Sequence, residues 1–318
     1  MIEKGEFKER LILRVLYSGL FIVALVFVWN IGLLTASDET EVITRLNITQ
    51  ALPIITDIEI NYGDVINLTE GSHYQVLCNA TIVNYNGLGD FSMVNATLFR
   101  TNGSSGTNFG LFQAEDNNSN YQMANCSYDM TLDTFTYGWN CTFNVSYHAF
   151  NGSWNCTVFA NNSLNTPVNA TNSSEIIPLF AINVTDVVDL GDLSVYQTSG
   201  VHSVNVTNWG NMPINLTLWG YGGEDNATGY NLSFMCPDGA GTNISIGYMR
   251  WELRDDNGWV NMTNLTIGPI LIDNVTIEKQ STDVNIWNTT YWRLYVPPNP
   301  FGACNGTLVY EATLGGTN

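Results

Sequence analysis

The sequence predicts an all-β protein behind one N-terminal transmembrane helix, with the strands arranged as two antiparallel β-sandwich domains. Three observations support this. From Asp38 onward apolar and polar residues alternate with period two, as where Ile214, Leu216 and Leu218 interleave with Asn215 and Thr217. Asn-Gly and Asp-Gly pairs (Asn86-Gly87, Asn102-Gly103, Asn151-Gly152, Asp238-Gly239 and Asn257-Gly258) break these runs at intervals suited to antiparallel strands. The run from Val15 to Thr35, VLYSGLFIVALVFVWNIGLLT, carries no charged side chain over 21 residues, and a helix of that length spans roughly 30 Å, the thickness of a bilayer's hydrocarbon core.

Residues 1–37 read as a short cytoplasmic lead followed by the anchor. Lys4, Lys8, Arg10 and Arg14 precede the apolar run and the next basic residue is Arg45. Positive flanks stay inside, so the expectation is a single-pass protein of the cell membrane, with a cytoplasmic N-terminus and extracellular β-domains. The lipid bilayer would be the partner of Val15–Thr35. Thr35-Ala36-Ser37 could serve a signal peptidase, but the run exceeds the ~7–15 residues of a signal-peptide core, which favours a retained anchor. Cleavage after Gly5, as in pilin leaders, is disfavoured because the charged stretch from Glu6 to Arg10 follows.

Residues 38–175 and 176–318 read as the two β-domains. Their surface chemistry is unusual. The formal charge is −19, yet only 12% of residues are charged, and six Lys or Arg follow Arg14. The acidity therefore reflects a scarcity of basic residues. That excludes a nucleic-acid partner, which needs clustered Lys and Arg, and electrostatic docking on anionic lipid.

Asparagine takes the place of charge. Of 40 Asn, 25 begin an Asn-x-Ser/Thr triplet with x not Pro, where chance would give about seven. In a strand the Asn and the Ser/Thr share one face, and the middle residue points to the other. In 18 triplets the middle residue is apolar or Cys, which places the Asn outward. The strongest acceptor candidates are Asn47, Asn67, Asn79, Asn95, Asn183, Asn205, Asn215, Asn231, Asn243, Asn264, Asn274, Asn288 and Asn305.

The same parity points the cysteines inward. Cys126, Cys141 and Cys156 are middle residues of triplets; Cys78 and Cys304 each precede an acceptor Asn, and Cys236 lies in phase with Leu232 and Phe234. Six cysteines outside the cell imply three disulfides. A boundary near residue 176 leaves Cys236 with Cys304, while parity alone leaves the pairing of the other four open. There is no C-x-x-C pair, and an oxidising compartment disfavours zinc.

The segments NVTNWGNMPINLTLWG, NISIGYMRWEL, TYWRLYVP and GACNGTLVYEA resemble the C-terminal domain of archaeal cell-surface proteins of unassigned activity, which carry tandem immunoglobulin-like, cell-adhesion-related sandwich modules. QVLCNATIVNYNGLGDFSMVNATLF and GSWNCTVFANNS resemble the domain paired with it. The resemblance covers most of residues 60–312. It implies that Cys78 and Cys156 form an inter-sheet disulfide of the immunoglobulin kind, with Trp154 where such domains often place a Tyr, and that Cys126 with Cys141 staples a neighbouring hairpin. It carries no catalytic residue and no cofactor.

A search for chemistry finds little. His73, His148 and His202 are isolated in sequence, with no H-E-x-x-H, no G-x-S-x-G and no phosphate-binding loop. Asp186, Asp189 and Asp192, Asp255-Asp256-Asn257, and Asn84, Asn86 and Asp90 are candidate calcium ligands, but turn and linker chemistry accounts for each. Trp219, Trp251 and Trp292 lie in alternating runs and are expected in the core. Trp209 and Trp259 lie at turns, where a glycan or a protein could stack on them. The function these features favour is a membrane-anchored, heavily N-glycosylated surface protein, structural or adhesive and without catalytic activity. Its partners would be other surface proteins, copies of itself or glycans. Alternatives are a subunit of a surface filament or surface layer, and a carbohydrate-binding or carbohydrate-active exoprotein.

Overall fold

A computed structural model describes residues 14–24, 43–101, 116–223, 233–236 and 243–314. The chain divides into two units, Met1–Thr49 and Gln50–Asn318. In the first, residues 14–24 are α-helical with exposed side chains, and residues 43–49 lack regular structure. Eleven helical residues rise about 16 Å, roughly half a bilayer core. Among the described residues no helix is long and apolar enough to cross a membrane. This corrects the single-pass membrane placement expected from the apolar run, of which residues 25–35 lie outside the described residues.

The second unit is built from antiparallel strands around two hydrophobic cores. The first core uses β1 (Ile54–Ile60), β2 (His73–Val83), β3 (Phe91–Arg100), β4 (Asn120–Met123), β5 (Ser127–Asp133), β6 (Thr136–Ser146), β7 (Gly152–Asn162) and β8 (Pro167–Ile176). They form two four-stranded sheets, ordered β1-β2-β6-β5 and β4-β3-β7-β8. Alternation places the side chains. In β2, Val76, Cys78, Ala80 and Ile82 are buried while the residues between them are half-buried. Val94, Ala96 and Leu98 of β3 with Cys156, Val158 and Ala160 of β7 fill the same core from the other sheet.

Two disulfides tie this core. Cys78 of β2 bonds to Cys156 of β7, joining the two sheets, and Cys141 of β6 bonds to Cys126 just before β5. Cys78 and Cys141 are direct cross-strand neighbours, so adjacent positions of one sheet each carry a bridge. Trp154 is fully buried two residues before Cys156, and its Nε1 donates to the carbonyl of Phe150 at 2.8 Å. An indole that bonds back to the turn entering its own strand fixes that turn against the core.

The second core uses β9 (Ile182–Val184), β10 (His202–Asn208), β11 (Ile214–Gly222), β12 (Ser233–Phe234), β13 (Ile244–Ser245), β14 (Met249–Glu252), β15 (Thr263–Asn264), β16 (Ile270–Ile277), β17 (Trp287–Leu294) and β18 (Gly306–Leu314). The sheets are ordered β15-β14-β17-β10-β9 and β16-β11-β18, with β12-β13 as a separate pair. Val204, Val206, Leu216, Leu218, Trp251 and Trp292 meet in this core. Cys236 bonds to Cys304, and no described cysteine is free.

Three side chains depart from their expected places. Trp219 is half-buried outside the core, because Ile214, Leu216 and Leu218 take the inner face of β11 and its neighbour in sequence must face away. Cys304 is exposed although bridged to buried Cys236, because it lies in the loop before β18 and not within a strand. Asn95 is 3% exposed and Thr97 is fully buried, so both faces of β3 are covered there.

Candidate functional site

The richest polar constellation lies where the two cores meet. Residues 177–181 connect them, and the turn between β10 and β11 holds this connector. Asn211 does most of the holding. Its Oδ1 accepts from Leu179 N at 2.7 Å, its Nδ2 donates to the Ile177 carbonyl at 3.1 Å, and its backbone N donates to the Leu179 carbonyl at 3.1 Å. Gly210 is obligatory here, since a Cβ would lie 2.1 Å from the Leu179 oxygen. The ring of Trp209 lies against Gly71 of the first core, where φ is +61° and a Cβ would meet the indole at 2.5 Å.

The second contact comes from the loop between β16 and β17. Gln280 is buried and braces the loop from within: its Nε2 donates to the Ile286 carbonyl and its Oε1 accepts from Ile286 N, both at 2.9 Å. Thus held, the loop projects Asp283 and Lys279 onto the first core. Asp283 Oδ1 lies 3.1 Å from His148 Nε2, 3.4 Å from Ser146 Oγ and 3.9 Å from His73 Nε2. Lys279 Nζ donates to Asn118 Oδ1 at 2.5 Å and to the His148 carbonyl at 3.0 Å, and lies 3.9 Å from the centre of the Phe150 ring. Asn118 Nδ2 donates back to the Ser281 carbonyl at 2.8 Å and to Asp116 Oδ1 at 3.0 Å.

Electrostatics follow from burial. His148 is wholly buried, and desolvation holds its pKa below the ordinary 6.5 although Asp283 pulls it upward. Lys279 is pushed down to about 8, chiefly by desolvation, with Asp116 opposing. Ser146, His148 and Asp283 are the residue types of a hydrolytic triad but not its geometry. Hydroxyl and imidazole approach the same carboxylate oxygen side by side, so the imidazole is turned to the carboxylate and not to the hydroxyl.

The other sequence-derived candidates are distributed as follows. Asn47, Asn67, Asn183, Asn205, Asn243, Asn264, Asn288 and Asn305 are exposed; Asn79 and Asn215 are half-buried. Asn231 and the side chain of Asn274 lie outside the described residues. Asn84, Asn86 and Asp90 do come together, with Ser163 and Gln50. Asp90 accepts from Ser163 Oγ at 2.6 Å, Asn86 Nδ2 at 3.0 Å, and Asn84 Nδ2 and Gln50 Nε2 at 3.2 Å. These donors, the Ser163 hydroxyl foremost, hold its carboxyl below the usual range. A carboxylate so supplied with N–H and O–H donors is a loop staple; calcium would need oxygens in their place. Among the described residues no group of three or more His, Cys, Asp or Glu is arranged to hold a metal.

Both turn tryptophans are engaged internally. Trp209 covers Gly71, and Trp259 carries the Arg250 guanidinium on its ring at 3.9 Å while its Nε1 donates to the Tyr248 carbonyl at 2.9 Å. A cleft of about 440 Å³ lies beside β18, lined by residues including Val188, Leu190, Val204, Phe234, Leu308 and Tyr310. β18 forms the edge of its sheet.

The junction was invisible in the sequence. His148 and Asp283 are separated by 135 residues, and no motif links them.

No family model and no curated protein matches this chain. Among solved structures it is similar to a chain from a chaperone–tip adhesin complex of CFA/I fimbriae, at 10% identity over 82% of this chain and 81% of that one, with a TM-score of 0.29. It is also similar to the C-terminal domain of the AgI/II polypeptide BspA of Streptococcus agalactiae, at 9% identity over 78% and 90% of the two chains, with a TM-score of 0.23. At these scores neither likeness assigns a family or a function.

Proposed function

We propose that the protein is an extracellular, N-glycosylated surface protein with a structural or adhesive role and no catalytic activity, built from two immunoglobulin-like β-sandwich modules. The observation that carries the reading is the pairing of all six cysteines in three disulfides, an economy suited to an oxidising exterior. The module assignment draws on the β1-β2-β6-β5 and β4-β3-β7-β8 sheet orders with a β2–β7 disulfide, which correspond to the strand order and inter-sheet bridge of an immunoglobulin-like sandwich. Exposed acceptor Asn residues on the strands supply the sugar sites, Asn95 excepted because it is buried. The sugars also shield strand edges from neighbouring molecules.

The absence of catalysis is part of the proposal. It is supported by the side-by-side geometry at Asp283 and by a polar junction that braces two modules. Labelling of intact producing cells with a membrane-impermeant amine reagent tests the placement. The chain is expected to be labelled without lysis; labelling only after lysis would contradict the reading.

A second reading, a subunit of a surface filament or layer, is favoured by one feature. The cleft adjoins the edge strand β18, whose outer side pairs with no strand among the described residues. Negative-stain microscopy of sheared surface material distinguishes the readings: polymers containing this chain support assembly, and dispersed particles only support the first.

A further inference from the structure

We propose that Lys279 and Asn118 are joined by an intramolecular isopeptide bond that locks the two modules covalently. The motivating geometry is specific. Lys279 Nζ touches Asn118 Oδ1 at 2.5 Å, placing the amine beside the carbonyl carbon it would attack. The leaving nitrogen is already held, since Asn118 Nδ2 donates to Asp116 Oδ1 at 3.0 Å and to the Ser281 carbonyl at 2.8 Å. Asn118 does not begin an acceptor triplet, so glycosylation does not compete for it. The Phe150 ring covers the amine at 3.9 Å and lowers the local dielectric.

The step balances without an oxidant or a cofactor. The lone pair of neutral Lys279 Nζ forms a bond to Cγ of Asn118, and the Cγ–Nδ2 bond breaks. One proton is lost from Nζ and one is gained by Nδ2, which Asp116 Oδ1 already holds at 3.0 Å and which departs as ammonia. Desolvation brings Lys279 down to about 8, so a useful fraction of the amine is neutral near physiological pH. Burial raises the pKa of Asp116, but hydrogen bonds from Ser119 and Asn118 outweigh it, so the carboxylate is ionised and positions the leaving nitrogen. The product links residues 161 positions apart and bridges the two cores independently of the disulfides.

Mass spectrometry of the full chain, reduced and with sugars removed, tests this. A linked peptide pair containing Asn118 and Lys279 is expected, about 17 Da below the sum of its parts, the mass of one ammonia. Trypsin would not cut after Lys279. Free peptides carrying unmodified Lys279 and an intact Asn118 amide would overturn the proposal. Asp116→Asn, with its fold checked by near-ultraviolet circular dichroism, is expected to slow linkage at least tenfold; linkage at the wild-type rate would overturn the role given to Asp116. Lys279→Arg keeps the charge, and the reduced variant is expected to migrate more slowly than the wild type in denaturing gels; equal migration would count against the bond.

Discussion

His148 Nε2 and Asp283 Oδ1 lie 3.1 Å apart across the boundary between two hydrophobic cores, and the imidazole is wholly buried. Burial lowers the folded-state pKa of His148 from 6.5. The unfolded chain therefore binds a proton more readily as pH falls below that value, and stability is lost in that direction. His73, Lys279 and Asp283 face the same imidazole, the first two disfavouring its charge and the last favouring it. The melting temperature is expected to fall between pH 7 and pH 5, and His148→Gln to flatten that slope. Calorimetry at a series of pH values measures both.

Asn211 anchors the connector between the cores through two side-chain hydrogen bonds. Asn211→Ala is expected to cost about 1–3 kcal/mol, because it leaves the Leu179 N–H and the Ile177 carbonyl without their partner. Gly71→Ala is expected to cost a similar ~1–3 kcal/mol, from strain at positive φ and a clash with Trp209. Denaturant melts of the two variants, followed by Trp fluorescence, test this.

These two contacts show what the sequence could convey. Period-two alternation is local, so the all-β class and the inward faces of β2 and β11 were legible. So was the number of disulfides, from six cysteines in an exterior-type composition. The buried partners of His148 and Lys279 were not legible, because they depend on a loop more than 130 residues away and on Gln280 bracing it. Trp219 was misplaced by hydrophobicity alone: the parity of Leu216 and Leu218 already sends it outward. The apolar run from Val15 misled for another reason. Its composition permits a membrane span, whereas the described helical residues, 14–24, are too few to make one.

Cys78–Cys156 joins the two sheets of the first core, with Trp154 fixed beside it. Replacing both cysteines by Ala is expected to cost about 2–5 kcal/mol. Trp154→Phe loses the bond to the Phe150 carbonyl and leaves a void, for about 2–4 kcal/mol. Urea unfolding of the oxidised proteins measures each.

Asp90 is satisfied by hydroxyl and amide donors. Calcium or a chelator is therefore expected to leave the melting temperature of the native chain unchanged within about 1 °C. Asp90→Ala should lower it, because Asn84 and Asn86 lose their common acceptor. A calcium-dependent rise of several degrees would contradict the assignment of this cluster as a loop staple.

The central claim is that this chain works outside the cell as a disulfide-bonded glycoprotein. Glycopeptide and thiol mapping of the protein taken from its native source tests it most directly. Sugars are expected on exposed acceptors such as Asn183, Asn205, Asn264 and Asn288, none on buried Asn95, and no free thiol. A native chain with every acceptor bare and its cysteines reduced would contradict it.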